Sequence, residues 1–151
     1  MLTVAASAGA LVLGGAAAAL GALLWIRYRV FVLEVSGESM LPTLRQGDRM
    51  LAERRRRGTV IAPGRIVVLV DPQTPVLRDE RNRRRRNYLV KRVVAVAGDP
   101  LPEGVPGHRG TVPEGCLVVL GDNPEGSVDS RGFGPVPVGR VVGTVLRRME
   151  G

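Results

Sequence analysis

The first 26 residues carry no charge and are almost wholly Ala, Leu, Gly and Val, with Trp25 near the end. At about 1.5 Å per residue such a run covers roughly 39 Å as a helix, more than a hydrocarbon core of about 30 Å. The pattern predicts a single N-terminal transmembrane helix, residues 1–29. A cleaved signal peptide competes with it, Ala16 to Ala19 supplying small residues, but there is no basic n-region and the apolar run is too long for an h-region. Arg27 and Arg29 follow directly, and the positive-inside rule alone would hold the rest of the chain in the cytoplasm.

Beyond the span the texture changes to short Val-, Ile- and Leu-rich runs punctuated by Gly, Pro and Asp. Strands are predicted at 31–35, 49–53, 65–70, 88–97, 117–120 and 140–147. No helical period of 10–15 residues lies between them, so βαβ units are excluded. The expectation for residues 30–151 is all-β, a compact antiparallel domain. Two stretches, 71–87 with its arginine run 83–86 and the Gly- and Pro-dense 98–115, hold too little apolar surface for a core and are expected as surface loops.

Composition narrows the chemistry. One cysteine, Cys116, rules out an internal disulfide, and with His108 as the one histidine no all-N/S structural zinc site can be built. No metal or other cofactor is expected. Of 22 cationic residues 21 are arginine, which codon bias explains, and one is Lys91. That lysine lies inside the apolar run Tyr88-Leu89-Val90-Lys91-Arg92-Val93-Val94. Alternation puts Lys91 on one face with Val93, and Arg92 on the other with Val90 and Val94. A solvent-facing edge strand would carry such a lysine harmlessly; buried, its pKa falls. Arginine cannot be deprotonated in a protein, so a chain that writes arginine everywhere else has kept, at one place, a cation able to act as a base.

Two further segments hold polar residues that a β core does not need. Val35-Ser36-Gly37-Glu38-Ser39-Met40-Leu41-Pro42-Thr43-Leu44 offers a serine on a Gly/Pro turn, which is either an exposed nucleophile or an ordinary turn residue. Gly121-Asp122-Asn123 through Ser127, Asp129, Ser130, Arg131 and Gly134 is a long polar turn after an apolar strand.

Together the three segments resemble the type I signal peptidases, membrane-anchored serine proteases that remove signal peptides. Ser39 to Leu44 is similar to the nucleophile box, Lys91 to Asp99 to the lysine box and Gly121 to Gly134 to the last box, with 64–68 similar to the segment between the first two. The resemblance implies a β fold of signal-peptidase type and a Ser-Lys dyad: Ser39 as nucleophile, Lys91 as base, Ser127 orienting Lys91, and the Ser39 backbone N–H binding the oxyanion. Some members add a hydroxyl donor at the position occupied here by Gly37. Asp129 and Arg131 match a structural ion pair, and Met40, Leu41 and Val90 fall where pockets for small substrate residues would be lined.

The resemblance also implies preproteins bearing signal peptides as partners, together with the lipid bilayer, and a single-pass protein of the cell membrane with its catalytic domain on the extracytoplasmic side. That last expectation runs against Arg27 and Arg29. Two rivals remain. Self-cleaving repressor-type proteases share the Ser-Lys pair. A non-enzymatic basic module could instead use Arg54 to Arg57 and Arg83 to Arg86 on anionic lipid. Nucleic acid is not expected as a partner, because no aromatic residues interleave with these runs to stack bases.

Overall fold

In the computed structural model the described residues are 2–74, 77–78, 84–85, 87–107 and 110–149; for 2–14, 26, 77–78 and 84–85 the description extends to the backbone only. His108 and much of the arginine run 83–86 therefore lie outside the described residues. The chain divides into two compact units, residues 1–31 and 32–151.

The first unit is α1 (Leu2–Arg29), whose described side chains begin at Gly15 and are exposed from there through Trp25. Among the described residues no helix is long and apolar enough to cross a membrane.

The second unit is built on one seven-stranded sheet. Its strands are β1 (Val30–Glu34), β2 (Arg49–Arg54), β3 (Ile66–Val70), β6 (Tyr88–Val96), β7 (Cys116–Leu120), β8 (Val136–Pro137) and β9 (Val141–Met149), in the spatial order β1-β2-β9-β3-β6-β7-β8. A separate two-stranded ribbon pairs β4 (Leu77–Arg78) with β5 (Arg84–Arg85). The pairings from β2 through β8 are antiparallel. All six predicted strands are present, with ends shifted by one or two residues.

Strands β3 and β7 read as unbroken apolar runs because both of their faces are covered, burying Val67, Val68 and Leu69 in one and Leu117, Val118 and Val119 in the other. One core gathers Val67, Leu69, Val93, Leu117, Val119, Val136 and Val141. A second gathers Ala95, Val105, Val112 and Val118. Two of those valines, Val105 and Val112, come from 98–115, whose other described residues are exposed or half-buried. The segment doubles back on itself through Val112 N–H to Asp99 O (2.8 Å) and Leu101 N–H to Gly110 O (2.8 Å), satisfying its backbone locally and freeing its few apolar side chains to pack.

For the chemistry, the decisive placement is that of β6. It lies between β3 and β7, so Lys91 belongs to an interior strand, with Val67 directly across from it. The edge-strand alternative is excluded.

Candidate active site

Among the described residues three polar or charged side chains are buried: Lys91 at 2% exposure, Asp129 at 1% and Ser130 at 0%. Burying such groups is costly unless each finds a partner, so their concentration in two segments marks one region as built for something other than packing.

The serine turn follows β1. Gly37 has φ +92°, a left-handed conformation that disfavours any side chain, and this gives a backbone reason for glycine where a hydroxyl donor would otherwise sit. Leu41 N–H to Glu38 O (3.1 Å) and Leu44 N–H to Met40 O (2.8 Å) then close a tight helical turn. Met40 and Leu44, four residues apart on one face of that turn, are both buried in the body. The anchored turn leaves Ser39 half-buried, and Lys91 Nζ stands 2.6 Å from its Oγ.

A second segment braces this pair. Residues 121–123 leave β7 and run along the serine turn: Asn123 N–H donates to Ser39 O (3.0 Å) and Asn123 Nδ2 to Glu38 O (3.2 Å). Asp122 takes a bidentate grip from Arg92, Nε to Oδ1 at 2.9 Å and Nη2 to Oδ2 at 2.6 Å, while Arg92 Nη1 donates to Gly64 O at 2.9 Å. Lys91 and Arg92 thus point to opposite faces of β6, the lysine to the serine and the arginine to the brace. At Gly121 the backbone comes so close that a Cβ would run into Ser127 Oγ and the Ser39 carbonyl oxygen.

Asp129 ties the far end. Its carboxylate accepts from Gly121 N–H (2.8 Å), Ser127 Oγ (2.6 Å), Arg131 N–H (3.1 Å) and Arg131 Nε (2.9 Å). Ser130 Oγ accepts from Val119 N–H at 3.0 Å and fastens the short helix α2 (Ser130–Phe133) to β7.

Burial pushes the Lys91 ammonium below its ordinary value; the Asp129 carboxylate pulls it back up, and the Arg131 guanidinium lowers it again. For Asp129 burial opposes ionisation, yet the Arg131 guanidinium, with Gly121 N–H and Ser127, holds its carboxyl well below the usual carboxylate range. The aspartate therefore stays charged, and the arginine offsets its field at the lysine.

The structure brings together Ser39, Lys91, Ser127, Asp129 and Arg131. It differs from expectation at Ser127, whose one proton goes to Asp129; among the described residues no hydrogen bond joins Ser127 to Lys91. Of the three residues expected to line substrate pockets, Leu41 and Val90 keep exposed surface and Met40 does not, at 1% exposure, because it anchors the turn. Sequence reasoning gave no separate role to Arg92, Gly121, Asp122, Asn123 or Ser130. An Arg and an Asp 30 residues apart carry no local signal that they pair.

An antiparallel β body bearing a serine hydroxyl against a buried lysine falls among the β-rich peptidases. The kinship is specific: the sequence model for signal peptidase, peptidase S26, matches residues 9–102 and 103–149, and the chain belongs to that family. It is 36% identical over 130 residues to mitochondrial ATP-independent inner membrane protease subunit 1b of Arabidopsis thaliana, covering 81% of this chain and 71% of the relative. It is 34% identical over 120 residues to mitochondrial inner membrane protease subunit 1 of Mus musculus, covering 76% and 66%. To subunit 2 of the same mouse protease it is 33% identical over 117 residues, covering 72% and 60%.

Proposed function

We propose that the chain is a membrane-bound serine endopeptidase that cleaves N-terminal signal peptides from translocated preproteins with a Ser39-Lys91 dyad. The observation that carries this reading is the 2.6 Å approach of Lys91 Nζ to Ser39 Oγ, with the lysine 2% exposed.

An unperturbed lysine near pKa 10.4 is about 0.1% neutral near pH 7.4, a deficit of roughly 4 kcal/mol at 1.36 per unit. Burial recovers part of it. The neutral amine accepts the Oγ proton as Ser39 attacks the scissile carbonyl, then returns it to the leaving amine; water, activated by the same amine, releases the acyl group. The Ser39 N–H meets the developing oxyanion. Ser127, Asp129 and Arg131 act behind Lys91, keeping its surroundings fixed and near neutral. Leu41, two residues on from the serine, offers apolar surface for small substrate residues, whereas Val90 shares the Arg92 face of β6, opposite to Lys91.

The membrane part of the reading rests on the relatives and on the sequence of residues 1–26, which carries no charge, with Trp25 and Tyr28 exposed at its end, where aromatic residues favour a membrane interface. The relatives are named as inner-membrane proteases, which supports membrane association. Preproteins meet such an enzyme after crossing the bilayer, so the β body is assigned to the far side.

A panel of preproteins incubated with the full chain in membranes tests the substrate class. Wild type and Cys116→Ala should release mature proteins cut after small residues, and Ser39→Ala should release none. Cleavage by Ser39→Ala at the wild-type rate would overturn the proposal.

A further inference from the structure

Asn123 sits at the cap position of the 3-10 turn Pro124–Gly126, where an Asn side chain ordinarily bonds the next free N–H groups; here it makes no such cap. Its amide instead crosses to the serine turn, Nδ2 donating to Glu38 O at 3.2 Å, while its backbone N–H donates to Ser39 O at 3.0 Å. The nitrogen must face Glu38 O, since a carbonyl can only accept. A side chain released from its local task and spent on a turn some 85 residues away in sequence calls for a reason.

The peptide plane supplies one. Glu38 C=O and Ser39 N–H belong to the same planar trans unit and point in opposite directions. Whatever holds that oxygen aims that N–H. We propose that Asn123 is a positioning residue that fixes the Glu38–Ser39 peptide and thereby aims the Ser39 N–H at the oxyanion. The Leu41 N–H bond to the same oxygen comes from within the turn and moves with it; Asn123 ties the plane to the sheet. With Gly37 in place of a hydroxyl donor, the aim of this one N–H matters more. The inference rests on Ser39 being the nucleophile.

The test uses the full chain in membranes and two substitutions. Asn123→Asp keeps the shape and the backbone bond but cannot donate to Glu38 O; Asn123→Ala removes the side chain. Three quantities are read: kcat and KM on one preprotein, the inhibition constant of a peptide aldehyde, which adds Ser39 Oγ–H across its carbonyl and places a hemiacetal oxygen where the oxyanion forms, and the affinity for the matching peptide amide. Both variants should lose about 10- to 100-fold in kcat with KM unchanged, and aldehyde affinity should fall in step while amide affinity and melting temperature hold. Wild-type kcat in either folded variant, or equal weakening of aldehyde and amide, would overturn the positioning role. A loss of the proposed function looks different: Ser39→Ala would then turn over as fast as wild type.

Discussion

Lys91 is the residue whose environment decides the proposed chemistry. Three groups set its charge: the apolar strand around it, the Asp129 carboxylate and the Arg131 guanidinium. The sign of each yields a pH prediction. A base must be neutral to act, so activity rises with pH through the Lys91 pKa, which lies below its ordinary value. Arg131→Ala removes a cation that lowers this pKa and leaves the Asp129 charge less compensated. The acid limb of the kcat/KM profile should therefore move to higher pH, while a role confined to packing would lower the whole profile without moving the limb. The lysine itself was legible in the sequence, because one lysine among 21 arginines inside an apolar run has a chemical meaning. Its setting was not. Arg131 was expected only as a structural partner, since its effect on Lys91 arises from an approach in space.

At the scale of elements, strand β6, through Lys91, and the loop after β7, through Asn123, act as a pair of jaws around the serine turn. Gly121 is the tightest point. Gly121→Ala would force its methyl into Ser127 and the Ser39 carbonyl, and overpacking of that kind costs about 1–3 kcal/mol. We expect a lowered melting temperature and a larger proportional loss of kcat than of stability, read by thermal unfolding beside preprotein turnover. Sequence periodicity captured the six main strands because each has a run of β-branched residues bounded by Gly, Pro or Asp. It missed β4, β5 and β8, each two residues long, and α2, four long, which are too short to carry a period. It did not foresee that two valines of 98–115 would pack into a core, because two valines count for little in composition and for much once a sheet offers them a face. The jaws were legible only as boxes: the residues were in view, but which carbonyl each would hold depends on pairing across the fold.

For the whole molecule, charge and placement pull in different directions. The formal charge is +8, and Arg27 and Arg29 favour retention of the following body on the cytoplasmic side, whereas the proposed substrates present their cleavage sites on the other. We expect the function to prevail. Protease added outside sealed vesicles of known orientation should digest or spare the β body according to its place on the far side; a body found on the cytoplasmic face would sink the proposed role in preprotein processing. The central claim is narrower than this geography: a buried lysine beside Ser39 supplies the base. Turnover of one preprotein by the Lys91→Arg chain tests it most directly, because arginine keeps the charge and the length while withholding the removable proton. Processing should fall by at least about 10²–10⁴, the usual share of a general base, with the protein still folded. Mature product formed at the wild-type rate would contradict the account.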